Sequence, residues 1–228
     1  AASRSCAGRP HSSAACCSFG ARPRSGACCA GTGKTKTLTA GVATRIELYG
    51  MEPSRILCVT FTNKAAREMR ERITRACGEG MAPSWLGTFH ALCARQLRAE
   101  PDIAYLRAGF DIRDADDTLA IVRRLIKATP VEQLPRPEEG EPGDARQIAK
   151  MAERISRLKE DLVTPDVAGH HVEAMIARAH AQKRFVDDAG WRFVVGLYGR
   201  YQNLLREQNA ADFGDLLMWP TLAMLQNE

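Results

Sequence analysis

The sequence predicts an α/β fold in which a short parallel sheet and its helices precede a mainly helical region. Three observations support this prediction. Residues 30–35 read Ala-Gly-Thr-Gly-Lys-Thr and run directly into a helical stretch, Lys36 to Tyr49. Arg55 to Phe61 is a short, apolar, β-branched run, which is typical of a buried parallel strand. Between residues 99 and 211 the pattern favours amphipathic helices instead.

The first element resembles the end of a phosphate-binding loop. Closely spaced glycines let backbone N–H groups turn toward an anion, and the N-terminus of the following helix adds partial positive charge. In such a loop, Lys34 reaches the β- and γ-phosphates and the Thr35 hydroxyl holds Mg²⁺. Cys28 stands where the first glycine is expected, and no apolar strand precedes it. From these residues alone, a Gly/Thr-rich turn without a ligand is the alternative.

The next elements are two strand-to-helix steps. Arg55 to Phe61 leads into a helix that Thr62 caps and Gly78 ends. Acidic and basic side chains along this helix have i,i+4 spacing, as Glu68–Arg72 and Glu71–Arg75. A second strand-like step, Trp85 to Gly87, runs into a helix that starts near Thr88.

The helical region has its own start and stop signals. Gly109 to Ile112 is a short strand or turn, and Asp114 is placed to cap the helix that follows it. A Pro/Glu/Gly-rich loop covers residues 129–143. The predicted helices span residues 115–128, 144–161, 165–183 and 187–209.

In this order, the motifs resemble those of the UvrD/Rep/PcrA family of superfamily 1 DNA helicases. The family segment V-T-F-T-N-K-A-A-x-E-M-x-x-R matches Val59 to Arg72, and G-T-F-H-x-x-x-x-x-x-L-R matches Gly87 to Arg98. Asp212 to Leu217 matches D-F-x-D-L-L, and the spacing agrees from residue 30 to 228. The resemblance implies a P-loop NTPase fold: a RecA-like domain with a partial parallel sheet and an inserted all-helical subdomain.

The resemblance also implies how the chain is divided. Residues 30–98 would form the first part of the RecA-like ATP-binding domain, and residues 99–211 the inserted subdomain. Residues 212–228 would be a truncated return segment toward the RecA-like domain. Residues 1–29 contain no Leu, Ile, Val, Met, Asp or Glu, so they cannot build a core. We interpret them as a disordered stretch foreign to the fold, which comes from a frame-shifted reading of GC-rich DNA or from another gene-model artefact.

Site residues follow from the resemblance as expectations. A loop would bind ATP and Mg²⁺, and its residues Lys34 and Thr35 would act in catalysis. The residues of this loop are Cys28, Cys29, Ala30, Gly31, Thr32, Gly33, Lys34 and Thr35. Single-stranded DNA would stack on Phe61 and contact further side chains by their polar groups or rings. These are Thr62, Asn63, Lys64, Thr88, Phe89 and His90. Outside the motifs, a buried strand-end Phe61 and a helix-start His90 would be the simpler interpretations.

The charge of the chain is weaker evidence for nucleic-acid binding than these motifs are. The formal net charge is +5, but residues 1–29 contribute four arginines and no acid. Between Arg55 and Arg98, eight Lys and Arg residues face three Glu, which fits either nucleic-acid binding or a solvated helical face. No apolar run approaches the length of a membrane-spanning helix.

The implied function is an ATP-dependent 3′–5′ DNA helicase of DNA repair, in the bacterial cytoplasm at the nucleoid. It would act as a monomer or weak dimer on single-stranded DNA and duplex junctions. The family's D-E-x-Q-D carboxylates are absent from this sequence, and we interpret Asp212 and Asp215 as helix-start carboxylates. The chain alone is therefore expected to be inactive. The alternatives are the helicase part of a recombination helicase-nuclease and a non-catalytic single-strand-binding fragment or pseudogene product.

Overall fold

The computed structural model describes residues 34–136 and 143–226. In these residues the chain is a mixed α/β structure, mostly helical, with two small parallel sheets. It divides into two compact units, one ending at Leu92 and the other beginning at Cys93. The interpretation of residues 1–29 and the loop positions Cys28 to Gly33 lie outside the described residues.

The first unit contains two parallel strands with helices packed beside them. Its elements are α1 (Lys34–Glu47), β1 (Leu57–Thr60), α2 (Asn63–Cys77), β2 (Trp85–Thr88) and the start of α3 (Phe89–Ala99). Their apolar sides share one core, formed by Ile46, Ile56, Cys58, Ala66, Met69, Ile73 and Leu86. Burying this apolar area is the main stabilising contribution to the unit.

The predicted start and end of α2 are confirmed, together with one of the two predicted ion pairs. The Thr62 hydroxyl accepts a hydrogen bond from the Ala65 N–H at 3.1 Å, and Gly78 ends the helix with a φ of 99°. Only glycine adopts that backbone angle at little cost. Arg72 and Glu68 form the expected ion pair, 3.9 Å apart. On this exposed surface, the pair contributes at most about 0.5 kcal/mol.

The second unit is a helical layer closed by a short strand pair. Its elements are α4 (Ala115–Lys127), α5 (Ala145–Glu160), α6 (Ala168–Ala181), α7 (Asp188–Glu207) and α8 (Phe213–Gln226), with β3 (Asp111–Arg113) and β4 (Ala210–Asp212). Asp114 caps α4 by accepting from the Asp117 N–H at 2.9 Å, as predicted. Strands β3 and β4 pair in parallel, with Asp111 opposite Ala210. The α4–α7 segment therefore starts and ends at neighbouring points.

A buried ionic cluster joins α5, α7 and the start of α8. Lys159 is 1% exposed, and its ammonium donates to Asp212 at 2.7 Å and lies 2.9 Å from Asp215. The Tyr201 hydroxyl donates to Asp212 at 2.7 Å, and the Gln202 amide donates to both Asp215 oxygens at 3.1 Å. A buried charge is tolerated only with partners of this kind.

The interpretation of Asp212 and Asp215 as helix-start carboxylates is correct in part and incomplete. Asp212 accepts from the Asp215 N–H at 2.8 Å, and Asp215 accepts in return from the Asp212 N–H at 3.4 Å, which is a reciprocal helix cap. Both residues are also buried against Lys159, because α8 packs on α5 in the second unit. They therefore stabilise the unit as well as the helix end.

The two carboxylates differ in their pKa. Burial works against ionisation of both, but Lys159 and the Tyr201 hydroxyl hold the pKa of Asp212 below its ordinary value. Burial raises the pKa of Asp215, because Lys159 does not fully offset the burial and the nearby Asp212 charge. Asp212 is thus the main counterion of Lys159.

None of the described helices is long and apolar enough to cross a membrane.

Candidate nucleic-acid and nucleotide site

The two DNA-binding motifs predicted from the sequence lie at one edge of the first sheet. Strands β1 and β2 are parallel and in register, with Val59 opposite Gly87 and Thr60 opposite Thr88. Neighbouring strands lie about 4.8 Å apart. The residues that follow the two strands, Phe61 and Phe89, therefore leave the sheet side by side at its carboxyl edge. In open α/β sheets this edge is where ligands bind.

Two aromatic side chains at this edge face solvent. Phe61 is 95% exposed and Phe89 is 60% exposed. The simpler interpretation of Phe61 as a buried strand-end aromatic is therefore wrong, since its ring contributes almost nothing to the core. An exposed ring of this kind can stack on an unpaired base, whatever the base sequence.

The Thr60 hydroxyl fixes the backbone beside these rings. The Thr60 hydroxyl donates to the Thr62 carbonyl at 3.0 Å and lies 3.5 Å from the Gly87 carbonyl on β2. It thereby holds the turn after β1 against the neighbouring strand. Sequence reasoning missed this role of Thr60, although a threonine at a strand end before a helix cap is a visible signal.

Helices α2 and α3 both begin at this edge, and a threonine caps each of them. Thr62 accepts from the Ala65 N–H at 3.1 Å, and Thr88 accepts from the Ala91 N–H at 3.3 Å. Each hydroxyl keeps a proton that it can donate to a phosphate oxygen. Two helix N-termini with partial positive charge thus lie beside the exposed rings, which favours an anion there.

The remaining predicted DNA-binding residues lie in the first turns of these helices. Asn63 and Lys64 begin α2 and are exposed, and His90 is exposed in the first turn of α3. Arg70 also ties α2 to the sheet by donating to the Leu86 carbonyl at 3.0 Å. Sequence reasoning missed Arg70, because one arginine in a basic helix carries no distinguishing pattern.

The nucleotide residues are only partly within the described chain. Lys34 and Thr35 are the first two residues of α1, Thr35 is half-buried, and its carbonyl accepts from the Thr39 hydroxyl at 2.7 Å. The first turn of α1 has no acidic residue. A helix N-terminus with this composition fits a phosphate group and its Mg²⁺. Within the described residues, no cluster of His, Cys, Asp and Glu offers a separate metal site.

Comparison with known proteins agrees with these motifs. The profile of the UvrD/REP helicase N-terminal domain matches residues 15–228. A probable DNA helicase II homolog of Mycoplasma capricolum is 33% identical over 206 residues, which cover 90% of this chain and 26% of that protein. The ATP-dependent DNA helicase PcrA of Staphylococcus aureus is 33% identical over 189 residues, covering 83% of this chain and 23% of PcrA.

A third relative is similar over nearly the same extent. The ATP-dependent DNA helicase UvrD1 of Mycobacterium leprae is 36% identical over 201 residues, which cover 86% of this chain and 23% of UvrD1. The chain thus spans about a quarter of the length of the curated relatives it matches.

Proposed function

Because this chain belongs to the UvrD/REP helicase N-terminal domain family, we propose that it is the ATP- and single-strand-binding N-terminal part of an ATP-dependent DNA helicase. The helicase moves 3′ to 5′ and acts in DNA repair on single strands and duplex junctions. The observation that carries the proposal is the shared carboxyl edge of β1 and β2, where Phe61 and Phe89 are exposed beside two capped helix N-termini.

We further propose that the first unit is the beginning of a RecA-like domain and that α4–α7 form a helical insertion in it. The parallel pairing of β1 with β2 and the closure of the α4–α7 segment by β3 and β4 support this assignment. Residues 212–228 then lead back toward the RecA-like domain. The protein works in the bacterial cytoplasm at the nucleoid, as a monomer or weak dimer.

ATP is held where the phosphate loop meets α1. Bound ATP, with Mg²⁺, supplies the phosphoryl transfer that drives movement along DNA. Lys34 would offset the charge of the β- and γ-phosphates and Thr35 would hold the metal through its hydroxyl, while residues 28–33, which lie outside the described residues, are assigned to the phosphate loop by their sequence alone. The N-terminus of α1 adds a favourable field for the same anion.

DNA is held at the carboxyl edge of β1 and β2 by two kinds of contact. Phe61 stacks on an unpaired base, and Phe89 offers a second ring beside it. Polar groups at the starts of α2 and α3 bind phosphate oxygens. These groups belong to Thr62, Asn63, Lys64, Thr88 and His90. These contacts are independent of sequence, as a translocating protein requires.

The function is tested with the full-length protein on duplexes that carry a single-stranded tail. We expect ATP-dependent unwinding of a duplex with a 3′ tail, no unwinding of one with a 5′ tail, and loss of unwinding in Lys34→Ala. Unwinding from 5′ tails alone would contradict the polarity. Degradation of the labelled strand would favour a helicase-nuclease instead. The 228-residue chain alone should show no turnover of ATP on single-stranded DNA, since it lacks the D-E-x-Q-D carboxylates.

Lys64→Ala should reduce the salt dependence of single-strand binding. Lys64 is exposed at the start of α2, so it can release a counterion when a phosphate docks at that helix end. Removing one phosphate contact should lower the slope of log K against log salt by about 0.7. Titration with oligo-dT at several salt concentrations measures this slope. Arg75→Ala, at the opposite end of α2, is the matched control and should leave it unchanged.

A further inference from the structure

The turn between α6 and α7 carries an exposed aromatic ring beside two cations. Phe185 is 86% exposed, and Lys183 and Arg184, which precede it, are exposed as well. Within the part of the chain that the structure describes, neither cation has an acidic partner. A phenylalanine of this exposure gives the core almost nothing, so its ring is available to stack on a ligand.

The backbone of this turn is held at its first end. The Lys183 N–H donates to the His180 carbonyl and the Arg184 N–H donates to the Ala179 carbonyl, each at 2.9 Å. These two bonds close a Schellman turn, in which Lys183 takes the left-handed conformation, with a φ of 54°. A lysine in that conformation has a steric cost that glycine does not have.

The turn is also held at its second end. Asp187 caps α7 by accepting from the Gly190 N–H at 2.9 Å, and its other oxygen accepts from Arg154 at 2.8 Å. A side chain at Gly190 would collide with both Arg154 and Asp187, so the glycine is needed for this contact. Residues 183–185 thus project from a turn that is fixed on both sides, which lowers the entropy lost on binding.

The acidic residues near the turn are already paired. Asp187 lies 2.8 Å from Arg154 and 3.7 Å from Lys150, and Asp188 lies 3.2 Å from the His180 ring. The Asp187 charge is therefore partly offset by two cations, and Asp188 interacts with the His180 ring and the Arg192 guanidinium, whereas no described acid lies within ion-pair distance of Lys183 or Arg184. Residues 183–185 therefore present net positive charge together with an aromatic ring on which a base can stack.

We propose that Lys183, Arg184 and Phe185 form a second single-stranded DNA contact, separate from the edge that carries Phe61. This inference rests on the proposed function. The two cations bind phosphate oxygens, and the Phe185 ring stacks on a base. The ligand is single-stranded because the bases of a duplex are already stacked on each other and offer no free face to a ring.

The proposal is tested on the 228-residue chain with fluorescein-labelled oligo-dT at several salt concentrations. Phe185→Ala should weaken binding about fivefold or more, with an unchanged salt slope. Lys183→Ala combined with Arg184→Ala should lower the slope by about 1.4. Val131→Ala and Arg123→Ala, exposed residues elsewhere in the second unit, are the matched controls and should bind like the parent.

Photocrosslinking locates the contact directly. Oligonucleotides with 5-iodouracil should crosslink to a peptide that contains Phe185, and mass spectrometry identifies that peptide. If Phe61→Ala weakens binding while the variants at 183–185 bind and crosslink like the parent, the second contact is wrong and the proposed function stands. If only the variants at 183–185 weaken binding, the second contact stands and the Phe61 site is wrong. If the folded parent does not bind, both fail.

Discussion

Lys159→Met should lower the free energy of unfolding by about 3–5 kcal/mol, because it leaves two buried carboxylates without their cation. Methionine keeps most of the apolar volume of the lysine side chain, so the loss reports charge more than packing. Lys159 is 1% exposed and lies 2.7 Å from Asp212 and 2.9 Å from Asp215. Urea denaturation followed by far-UV circular dichroism measures the change.

Lys150→Met is the control for this variant. Lys150 lies on the same helix, 3.7 Å from Asp187, but its side chain is 45% exposed, so solvent screens the pair. Its replacement should change the free energy of unfolding by no more than about 0.5 kcal/mol. A loss below about 1 kcal/mol for Lys159→Met would mean that the two carboxylates do not depend on that ammonium in solution.

The difference in the free energy of unfolding between the parent and Lys159→Met should shrink as the pH falls from about 7 toward about 4. Without Lys159, burial and mutual repulsion raise the pKa of Asp212 and Asp215 in the folded state. A carboxyl group with a raised pKa binds a proton more readily in the folded than in the unfolded chain, so acidification stabilises the fold. In the parent, the pKa of Asp215 is raised but that of Asp212 is lowered, so acidification toward pH 4 relieves one buried carboxylate instead of two, and below the ordinary Asp value of 3.8 the stability that Asp212 contributes is lost. The parent and the variant should therefore converge in acid.

The elements of the fold follow closely from local signals in the sequence. The sequence predicts a helix over residues 144–161, and α5 spans Ala145–Glu160. It also predicts a helix over residues 187–209, and α7 spans Asp188–Glu207. Capping residues such as Asp114 and Thr62 act through bonds to neighbours three residues away, so a sequence pattern captures them.

The ionic cluster could not be predicted as a whole, because Lys159 lies more than fifty residues from Asp212 and Asp215 in the chain. One signal was present. The buried face of α5 repeats as Ile148, Ala152, Ile155 and Lys159, so the lysine continues an apolar stripe. That spacing indicates a buried cation, but which carboxylates meet it depends on how α8 packs on α5. The need for glycine at position 214 depends on the same packing, since a Cβ there would lie 2.8 Å from the Lys159 Cδ.

The candidate site was predictable in its residues and less so in its geometry. The motifs single out Phe61 and Phe89, but their common edge depends on the parallel register of β1 with β2. The Thr88 cap of α3, which is a bond to a residue three positions along the chain, belongs by contrast to the local signals that a sequence carries. The nucleotide half of the site stays a prediction, because its loop lies outside the described residues.

Phe61→Ala should weaken binding of oligo-dT by about 1–3 kcal/mol, because it removes the face on which a base stacks. That range corresponds to roughly 5- to 150-fold in the dissociation constant. Phe61 is 95% exposed, so its truncation removes no core contact, and the urea midpoint should stay the same. The salt slope should also stay unchanged, since the ring releases no counterion. Fluorescence anisotropy at several salt concentrations measures affinity and slope together.

Tyr49→Ala is the matched control, because Tyr49 is a 76% exposed aromatic of the same unit that follows α1 instead of a strand end. It should bind like the parent, whereas Phe89→Ala should weaken binding in the same sense as Phe61→Ala. Equal loss in Tyr49→Ala and Phe61→Ala would point to general stickiness of exposed rings. Parent-like affinity of a folded Phe61→Ala would mean that DNA does not stack at the carboxyl edge of β1, and the role proposed for this edge would have to be abandoned.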